Sequence, residues 1–418
     1  MSRRSVQDDS QDDAWDQRML REALRLAARG EGRTHPNPSV GAVVYRGDHI
    51  LGRGTTRPPG GPHAEIVALS QARRRHGDRA LHGASLAVTL EPCHFQGRTG
   101  PCTAAICEAG IGRVVAGCRD PHPGVAGRGF RFLRSRGVEV VRGLLEAECR
   151  DRHRGFLSVH ERGRPWVTLK LASTLDGRIA LANGESRWIT GASARALVHR
   201  LRARADAVLV GSETALADDP ELTARRGEKV VRRPVRVLLD GRLRVPPTAR
   251  LYQPPGDTRT WVLCREGAKG IAGARARAER VLAIPAVAGG RIDLAIAFER
   301  LAVEGLTTVL VEGGGQLAAA LLRAGLVDEV HWLIAPSLIG GDGRPALGPL
   351  ALGSLADRIA LESVVVGRRG GDLHVQGRVR SSSSRAGQAA RAERKARRAG
   401  DAEVQSRVTG SAEREDAR

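Results

Sequence analysis

The sequence predicts an α/β protein built from two domains, and three observations support this. The 418 residues exceed the roughly 150 that one domain usually occupies. Short β-branched runs such as SLAVTL and GRVVAGC alternate with helical segments up to about residue 160. A second series, including ADAVLVGSE and RPVRVLLDG, begins after residue 164, and its strands are apolar on both faces, as buried parallel strands are.

The chain begins with a short polar arm and a helix. Residues 1–13 are polar and acidic, so we expect them to form a disordered arm. The next segment, WDQRMLREALRLAARGEG, has apolar residues at helical spacing and stops at glycine. It is the first helix of a domain that we place at residues 14–160.

A metal-binding pattern lies in this first domain. His63 and Glu65 open the predicted helix HAEIVALSQARRR, Cys93 follows the strand SLAVTL, and Cys102 comes nine positions later. One imidazole and two thiolates leave the fourth position of a tetrahedral zinc site open, which is typical of catalytic rather than structural zinc. We therefore predict one zinc ion per chain on His63, Cys93 and Cys102. Glu65 would then carry protons in the hydrolytic removal of an amino group.

The second predicted domain occupies residues 164–380 and contains a glycine turn. The run TTVLVEGGGQLAAALL predicts a strand, a turn and a helix start at Gly314, Gly315 and Gln316. Free backbone N–H groups and the helix dipole could receive a nucleotide diphosphate there. The run lacks the GxGxxG pattern, and three glycines before a helix are often only a tight turn. Both interpretations stay open on the residues alone.

The remaining residues form a basic tail, and the whole chain is basic. From Ser381 to Arg418 large apolar residues are almost absent, so we expect this segment to be disordered. The net charge of +21 comes almost entirely from arginines spread through both halves, and aromatic residues make up only 3%. Few rings are therefore available to stack on bases, and nucleic acid is disfavoured as the main substrate. Attraction for phosphorylated small molecules accounts for part of the charge.

The sequence also bears on location. No apolar run approaches the roughly 20 residues that a membrane helix needs. The acidic N-terminus is unlike the basic start of a signal peptide. The six cysteines show no disulfide-framework spacing. We expect a cytoplasmic protein without membrane contact.

Several strings, in order along residues 15–380, resemble the bifunctional deaminase/reductase family of riboflavin biosynthesis. They include HPNPSVGAVV, HAE, TLEPC, GRTGPC, DPHPGVAGRG, LKLASTLDGRIA, GESRWIT and VEGGGQ. The eight residues between Cys93 and Cys102 also separate the chain from deaminases with the PC-x-x-C pattern. The resemblance implies a cytidine-deaminase-like α/β/α zinc domain followed by a dihydrofolate-reductase-like α/β domain. It further implies zinc, NADPH, a phosphoribosyl-aminopyrimidine substrate and self-association through the reductase domain.

The same resemblance assigns roles to residues in both domains. In the first domain, Asn37 and Asp120 would line the pyrimidine pocket, and Arg98 would hold a substrate phosphate. In the second, Lys170 and Asp218 match positions linked to substrate binding and reduction. Further positions match substrate contacts, namely Ser186, Arg202, Leu222, Arg225 and Glu312. Others match positions near the nicotinamide nucleotide, namely Ala172, Trp188, Thr214 and Asp218.

The first pocket departs from the family pattern while the predicted zinc ligands are intact. Thr56 and Phe95 stand where the family usually has histidines, Gly100 replaces a proline, and His122 and His153 replace asparagines. Our hypothesis is that His94 or His122 supplies the lost hydrogen bonds to the substrate, since such bonds set substrate discrimination.

Two other functions remain as alternatives. The chain could be a zinc deaminase of tRNA or of a free nucleobase, with the basic tail as an RNA arm. It could also be a working reductase fused to a deaminase that has changed or lost its activity. Salt-sensitive tRNA binding would favour the first alternative, and absence of bound zinc would favour the second.

Overall fold

Two separate β-sheets form the scaffold of the chain. The computed structural model describes residues 6–95, 100–252 and 259–380, with residues 6–12 as backbone only. A five-stranded sheet lies within residues 41–142 and a nine-stranded sheet within residues 166–379. In these described ranges no helix is long and apolar enough to span a bilayer. The predicted tail 381–418 and residues 1–5 of the predicted arm lie outside them.

The first sheet places two functional loops side by side. Its strands are β1 (Gly41–Arg46), β2 (His49–Thr55), β3 (Ser85–Leu90), β4 (Arg113–Cys118) and β5 (Glu139–Arg142). Their order is β2-β1-β3-β4-β5, with β1 antiparallel to both neighbours and β3, β4 and β5 parallel. Because β3 and β4 are parallel neighbours, the loops that follow them, carrying Cys93 and Asp120, emerge at the same edge.

Helices cover this sheet, and glycines allow one of them to approach closely. The helices are α1 (Val6–Gly30), α2 (Ala64–His76), α3 (Cys102–Glu108), α4 (Arg128–Ser135), α5 (Glu146–Arg152) and α6 (Arg154–Arg162). A Cβ atom at Gly54 of β2 would lie 1.9 Å from the Ala64 carbonyl oxygen, and one at Gly52 would lie 2.2 Å from that of Ala68. Any side chain at these two positions would push α2 off the sheet. The first turn of α2, which carries Glu65, is thereby held against the core.

The second sheet is parallel along most of its width. Its domain contains β6 (Trp166–Thr174), β7 (Arg178–Ala180), β8 (Ala207–Gly211), β9 (Ala224–Arg226), β10 (Lys229–Arg232), β11 (Val235–Leu239), β12 (Thr260–Arg265), β13 (Arg280–Ile284), β14 (Ala286–Val287), β15 (Arg291–Ile292), β16 (Thr308–Val311), β17 (Glu329–Ala335), β18 (Arg344–Pro345), β19 (Leu361–Arg369) and β20 (Asp372–Val379). The sheet order is β13-β12-β11-β8-β16-β6-β17-β20-β19. Strands β13 to β17 in this order are parallel, and β20 and β19 close the sheet antiparallel. The α/β prediction is confirmed.

Five helices connect these strands. They are α7 (Ala192–Arg204), α8 (Ser212–Asp218), α9 (Ile271–Arg275), α10 (Leu294–Val303) and α11 (Gly315–Arg323). The central strands β8 and β16 are almost fully buried, which explains their apolar runs. The carboxyl ends of β6, β8 and β16 meet at one edge of this sheet. A cleft lies at that edge.

The first helix differs from the prediction. It begins at Val6, so residues 6–13 are helical rather than a disordered arm. These residues contain neither proline nor glycine, and extending an existing helix adds one backbone hydrogen bond for each residue ordered. Polar composition alone therefore placed the start of the helix too late.

A buried aspartate joins the end of the first domain to the second. Asp328 accepts hydrogen bonds from Arg162 at 2.6 Å and from Arg164 at 2.8 Å, and also from the backbone N–H of Val167 at 2.7 Å. Arg162 ends α6, and Val167 lies in β6. The segment between the domains is therefore tied to the second sheet by charge-assisted hydrogen bonds.

Candidate active sites

The predicted metal ligands come together in the first domain. His63 is the residue before α2, Cys93 lies in the loop after β3, and Cys102 is the first residue of α3. The His63 Nδ1 atom lies 3.3 Å from the Cys102 sulfur and 3.5 Å from the Cys93 sulfur. All three ligand atoms lie within 4.8 Å of one another, and this is the only such group among the described residues. One nitrogen and two sulfurs suit a tetrahedral zinc ion with one open position.

The two thiols are electrostatically unequal. Hydrogen bonding from Cys102 lowers the pKa of Cys93 to about 4, and the His63 ring contributes further. The Cys102 backbone N–H also donates to the Cys93 sulfur at 3.4 Å. The neighbouring Cys93 sulfur and burial raise the pKa of Cys102. A cation between the two sulfurs would stabilise both as thiolates.

Glu65 lies in the first turn of α2 beside these ligands. Only 4% of its surface is exposed, and burial raises its pKa to about 7, with a further contribution from the charge of Cys93. No arginine or lysine forms a salt bridge with it among the described residues. Its carboxyl group can therefore exist in either protonation state near neutral pH, which is the property a proton carrier needs.

Asp120 is held at the same edge by a residue that sequence reasoning missed. The Glu91 carboxylate accepts hydrogen bonds from the backbone N–H groups of Asp120 at 3.3 Å, Gly127 at 3.0 Å and Phe130 at 3.3 Å. Glu91 is 3% exposed and lies two residues before Cys93. The position of Glu91 directly after a buried strand is the sequence signal that could have identified it. Burial raises the pKa of Asp120 to about 7.

Two substituted positions of this pocket, Phe95 and His122, belong to a row of four ring side chains. Phe95 stacks on His122 with centroids 5.6 Å apart, His122 contacts His160 at 5.1 Å, and His160 contacts Phe156 at 4.5 Å. His160 and Phe156 belong to α6, so the loop after Cys93 is connected to the end of the domain. Phe95 remains 42% exposed.

The two histidines expected to compensate are partly engaged already. His94 Nδ1 lies 3.1 Å from the Thr103 hydroxyl, and its ring packs on Phe132. His122 Nδ1 accepts from the Gly124 N–H at 3.1 Å. In both rings the Nδ1 atom is the one engaged by these contacts.

The other departures have structural roles or lie at the surface. Thr56 is buried, and its hydroxyl accepts from the Val40 N–H at 3.1 Å, fixing the start of β1. Gly100 is exposed.

Asn37 is an exposed residue of the turn after α1 and lines a cavity between the domains. Arg98 lies outside the described residues.

The second site is a cleft of about 830 Å³ at the carboxyl ends of β6, β8 and β16. Eleven of the predicted reductase residues line it, namely Lys170, Ala172, Ser186, Trp188, Arg202, Thr214, Asp218, Leu222, Arg225, Glu312 and Gly314. They come from positions spread over more than 140 residues of sequence. The fold of the second sheet therefore brings residues that are distant in sequence into one cleft.

A buried ion pair and a lysine form the floor of this cleft. Arg202 makes two hydrogen bonds to the Glu312 carboxylate, at 2.6 and 2.9 Å, and a third to the Thr223 carbonyl oxygen at 3.0 Å. Burial acts to raise the pKa of Glu312, but the Arg202 charge and hydrogen bonds outweigh it and hold that pKa below its usual range. Burial lowers the pKa of Lys170, and the negative charges of Glu312 and Asp218 oppose this effect.

A strained turn forms one wall of the cleft. Asp218 ends α8, and both Asp219 (φ 41°) and Leu222 (φ 55°) adopt left-handed backbone conformations. The Asp219 carboxylate accepts from the Arg250 N–H at 2.7 Å. Strained residues of this kind concentrate at functional sites. Glu221, in the same turn, forms salt bridges with both Arg225 and Arg250, and neither Glu221 nor Arg250 was predicted.

The opposite wall is aromatic and cationic. Trp188 is 73% exposed, and the Arg195 guanidinium lies 4.5 Å from the centroid of its ring. Arg187 donates to the Asp218 carbonyl oxygen at 2.6 Å. An exposed indole beside several arginines suits a ligand that has both a ring and phosphates.

The glycine turn contributes less to the cleft than the sequence suggested. Gly314 lines it and precedes α11, but Gly315 and Gln316 do not line it. A Cβ atom at Gly315 would lie 2.6 Å from the Pro345 carbonyl oxygen, so this glycine is needed for close backbone packing. The tight-turn interpretation explains Gly315.

Family models match both halves of the chain. The model for the cytidine and deoxycytidylate deaminase zinc-binding region matches residues 13–118, and the RibD C-terminal domain model matches residues 165–375. A zinc-binding deaminase domain followed by a reductase domain is thus confirmed.

Relatives and solved structures agree over nearly the whole chain. The riboflavin biosynthesis protein RibD of Escherichia coli (strain K12) is 42% identical over 82% of this chain and 93% of that protein. The RibD protein of Bacillus amyloliquefaciens is 40% identical over 78% and 85%. Acinetobacter baumannii RibD matches with a TM-score of 0.78 at 35% identity, covering 88% of this chain and 99% of that one. A Thermotoga maritima deaminase/reductase matches with a TM-score of 0.76 at 36% identity over 88% and 99%.

Proposed function

This chain belongs to the RibD family, the bifunctional deaminase/reductases of riboflavin biosynthesis, and from that premise we propose which of its residues carry out the two reactions. The Thermotoga relative is described as a diaminohydroxyphosphoribosylaminopyrimidine deaminase and a 5-amino-6-(5-phosphoribosylamino)uracil reductase. We assign both reactions to this chain, in that order. Residues 14–160 perform the first and residues 164–380 the second.

The deamination is assigned to the His63, Cys93 and Cys102 site. The three ligand atoms fit a zinc ion by their chemistry and their mutual approach within 4.8 Å. Zinc bound there would supply hydroxide at neutral pH by lowering the pKa of water toward about 7. Glu65 accepts the proton of the attacking water and delivers it to the pyrimidine ring nitrogen. It then accepts the proton of the hydroxyl group on the tetrahedral carbon and delivers it to the departing amine, which leaves as ammonia. The cluster of the buried Glu65 with the three ligand residues is the observation that supports this step.

Asp120 and Phe95 are assigned to substrate positioning. Asp120 is fixed by the Glu91 network and can accept or donate a hydrogen bond, because its pKa is raised to about 7 by burial. The exposed face of Phe95 stacks against the pyrimidine. We keep Asn37 as a pocket residue and Arg98 as the phosphate ligand on the resemblance alone.

The reduction is assigned to the cleft of the second domain, with NADPH as hydride donor. Lys170 and Asp218 lie on either side of the reacting sugar carbon, where Lys170 supplies the proton that accompanies reduction. The Arg202–Glu312 pair holds the Lys170 side chain by charge, and Arg225 and Arg250 receive a phosphate. Trp188, Ala172, Thr214 and Gly314 are assigned to the nucleotide.

A two-stage assay tests both assignments on one preparation. The full chain, with its zinc content measured, is incubated with the diaminopyrimidinone ribosylamino phosphate, first without NADPH and then with it. We expect ammonia release in the first stage and NADPH oxidation in the second. Oxidation only with pre-deaminated substrate would support the alternative of a lost or altered deaminase. Ammonia release from tRNA and not from the pyrimidine would overturn the deamination assignment, and no NADPH oxidation with either pyrimidine would overturn the reduction assignment.

Self-association and location complete the proposal. We propose a homo-oligomer formed through the reductase domain, and a cytoplasmic location. Strand β19 is an edge of the nine-stranded sheet, and its Val364, Val365 and Val366 are 50–63% exposed. Such an edge favours pairing with a second copy. Light scattering should show an oligomer that Val365→Lys converts to a monomer, and a monomeric parent chain would refute the proposal.

A further inference from the structure

One face of α7 supplies three side chains to the reductase cleft. Arg195, His199 and Arg202 follow one another at intervals of four and three residues, so they form a row along the helix. All three line the cleft. Arg202 pairs with Glu312, and Arg195 lies over the Trp188 ring. The middle member of the row, His199, contacts the backbone of β9 and the residue before it.

His199 accepts a hydrogen bond from the backbone of Arg225. The Arg225 N–H donates to the His199 Nδ1 atom at 3.2 Å. The Thr223 carbonyl oxygen also lies 3.2 Å from Nδ1, but it already accepts from Arg202 at 3.0 Å. Since a backbone N–H can only donate, Nδ1 is the unprotonated nitrogen, and the ring hydrogen is on Nε2. Burial and the charge of Arg202 lower the pKa of His199, which favours this neutral ring at pH 7.

The Arg225 guanidinium is held by its own turn and still has donors to offer. Its Nε atom donates to the Thr223 hydroxyl at 3.2 Å, one terminal nitrogen donates to the Glu228 carbonyl oxygen at 3.2 Å, and the other pairs with Glu221. In the described part of the chain, these contacts leave one N–H on each terminal nitrogen. The side chain is 33% exposed and lines the cleft. Such a fork suits a phosphate group.

The backbone that carries this arginine needs support. Leu222 has a left-handed conformation (φ 55°), which costs free energy in a residue other than glycine. Two side chains of α7 hold the residues that follow it, Arg202 at the Thr223 carbonyl oxygen and His199 at the Arg225 N–H. Without the His199 acceptor the Arg225 backbone is free to shift, and its guanidinium shifts with it.

We propose that His199 is a positioning residue of the reductase, whose Nδ1 atom fixes the Arg225 backbone and so aims the Arg225 guanidinium at the substrate phosphate. This inference rests on the proposed function, which assigns Arg225 to that phosphate. A binding group needs such a supporting contact to keep its geometry. His199 therefore acts on substrate binding, whereas the reduction itself is assigned to Lys170 and Asp218.

Two variants separate the hydrogen-bond acceptor from the bulk of the ring. His199→Leu keeps a side chain of similar size and removes the acceptor. His199→Asn keeps it, because the amide oxygen, like Nδ1, is bonded to Cγ and can accept from the Arg225 N–H. His49→Leu is the matched control for the substitution, since the His49 side chain is 85% exposed and belongs to β2 of the first domain.

Reductase kinetics with two substrates measure the effect. NADPH oxidation is followed with 5-amino-6-(5-phosphoribosylamino)uracil and with the same compound lacking its phosphate. We expect His199→Leu to raise KM for the phosphorylated substrate about tenfold, the value of one hydrogen bond. Its kcat and its KM for NADPH should stay within about twofold of the parent, because only ground-state binding is lost.

The remaining expectations identify the contact responsible. His199→Asn and His49→Leu should keep KM for the phosphorylated substrate within about threefold of the parent. With the substrate that lacks the phosphate, His199→Leu and the parent should have the same KM. An equal rise with both substrates, a fall in kcat at unchanged KM, or a rise in His199→Asn as large as in His199→Leu would each overturn the positioning role.

Arg225→Gln distinguishes failure of this inference from failure of the proposed function. If the parent oxidises no NADPH, or if Arg225→Gln keeps the parent KM for the phosphorylated substrate, the proposed function fails and this inference fails with it. If Arg225→Gln raises that KM and His199→Leu does not, the positioning role alone is refuted. Should His199→Leu not fold, His199→Gln replaces it in the comparison with His199→Asn, because its amide lies one bond further from the backbone.

Discussion

The two active sites contain buried glutamates whose surroundings differ in one respect. Glu65 lies beside thiol and imidazole groups without a guanidinium, and burial raises its pKa to about 7. The Glu312 side chain is 9% exposed and burial acts on it in the same direction, but two hydrogen bonds from Arg202 hold its pKa below the usual range. The same side chain can therefore gain and lose a proton near neutral pH in one domain and stays charged in the other. The presence of a neighbouring guanidinium, rather than the extent of burial, decides the direction in which the carboxyl pKa moves.

The comparison predicts that removing each carboxylate has a different kind of effect. We expect Glu65→Gln to reduce ammonia release by about 100- to 10,000-fold, the range for loss of a general acid-base group. Because the amide cannot accept the proton, chemistry fails while the fold remains. Bound zinc and NADPH-dependent reduction of pre-deaminated substrate should be unchanged. A Glu65→Gln protein that deaminates at the parent rate would show that another group moves the proton.

Glu312→Gln should instead destabilise the second domain. The change leaves Arg202 buried without its counter-charge, and breaking a buried pair costs about 3–5 kcal/mol of unfolding free energy. Glu213→Gln is the matched control, because its partner Arg244 is exposed and such pairs contribute about 0–1 kcal/mol. Urea unfolding measures both. Equal losses in the two variants would mean that the Arg202–Glu312 pair acts as a surface pair.

The sites also differ in how far the sequence predicted them. His63, Glu65, Cys93 and Cys102 lie within 40 residues, and their types alone specify a metal and a proton carrier. The reductase residues are of common types and lie at scattered positions. Only the resemblance to a family could therefore identify them as parts of one site. Glu91 and Glu221 were missed because each works through contacts with distant backbone or arginines. The polar start of α1 misled for a related reason, since local composition does not report packing.

A third buried glutamate extends the comparison to pH. Burial acts to raise the pKa of Glu329, but His331, Arg154 and Gln376 lower it to about 2. A depressed carboxyl pKa contributes stability above the unfolded value near 4.5, and this is lost as the pH falls toward 2. We expect Glu329→Gln to remove on the order of 1–3 kcal/mol of stability at pH 7 and to flatten the acid limb between pH 4.5 and 2. Thermal melts followed by circular dichroism between pH 4.5 and 2 measure this loss of stability. If stability falls as steeply in Glu329→Gln as in the parent, other groups account for the titration.

The smallest expected effect concerns the substituted deaminase pocket. If His94 or His122 already supplies the hydrogen bonds that the family histidines would make, restoring one of those histidines should change little. Phe95→His is the informative variant, because Phe95 is 42% exposed and an imidazole ring can keep the stacking contact with His122. Thr56→His is less so, since the Thr56 hydroxyl holds the start of β1 and a larger ring would disturb it. We expect ammonia release by Phe95→His within about threefold of the parent, because the stacking contact with the pyrimidine is exchanged for another ring. The double variant Phe95→His with His122→Asn, which restores the family residues at both positions, separates the two explanations. A rise of orders of magnitude in either variant would show that His94 and His122 do not replace the lost hydrogen bonds. The deaminase domain, unlike the reductase domain, would then have lost its fit to the family substrate.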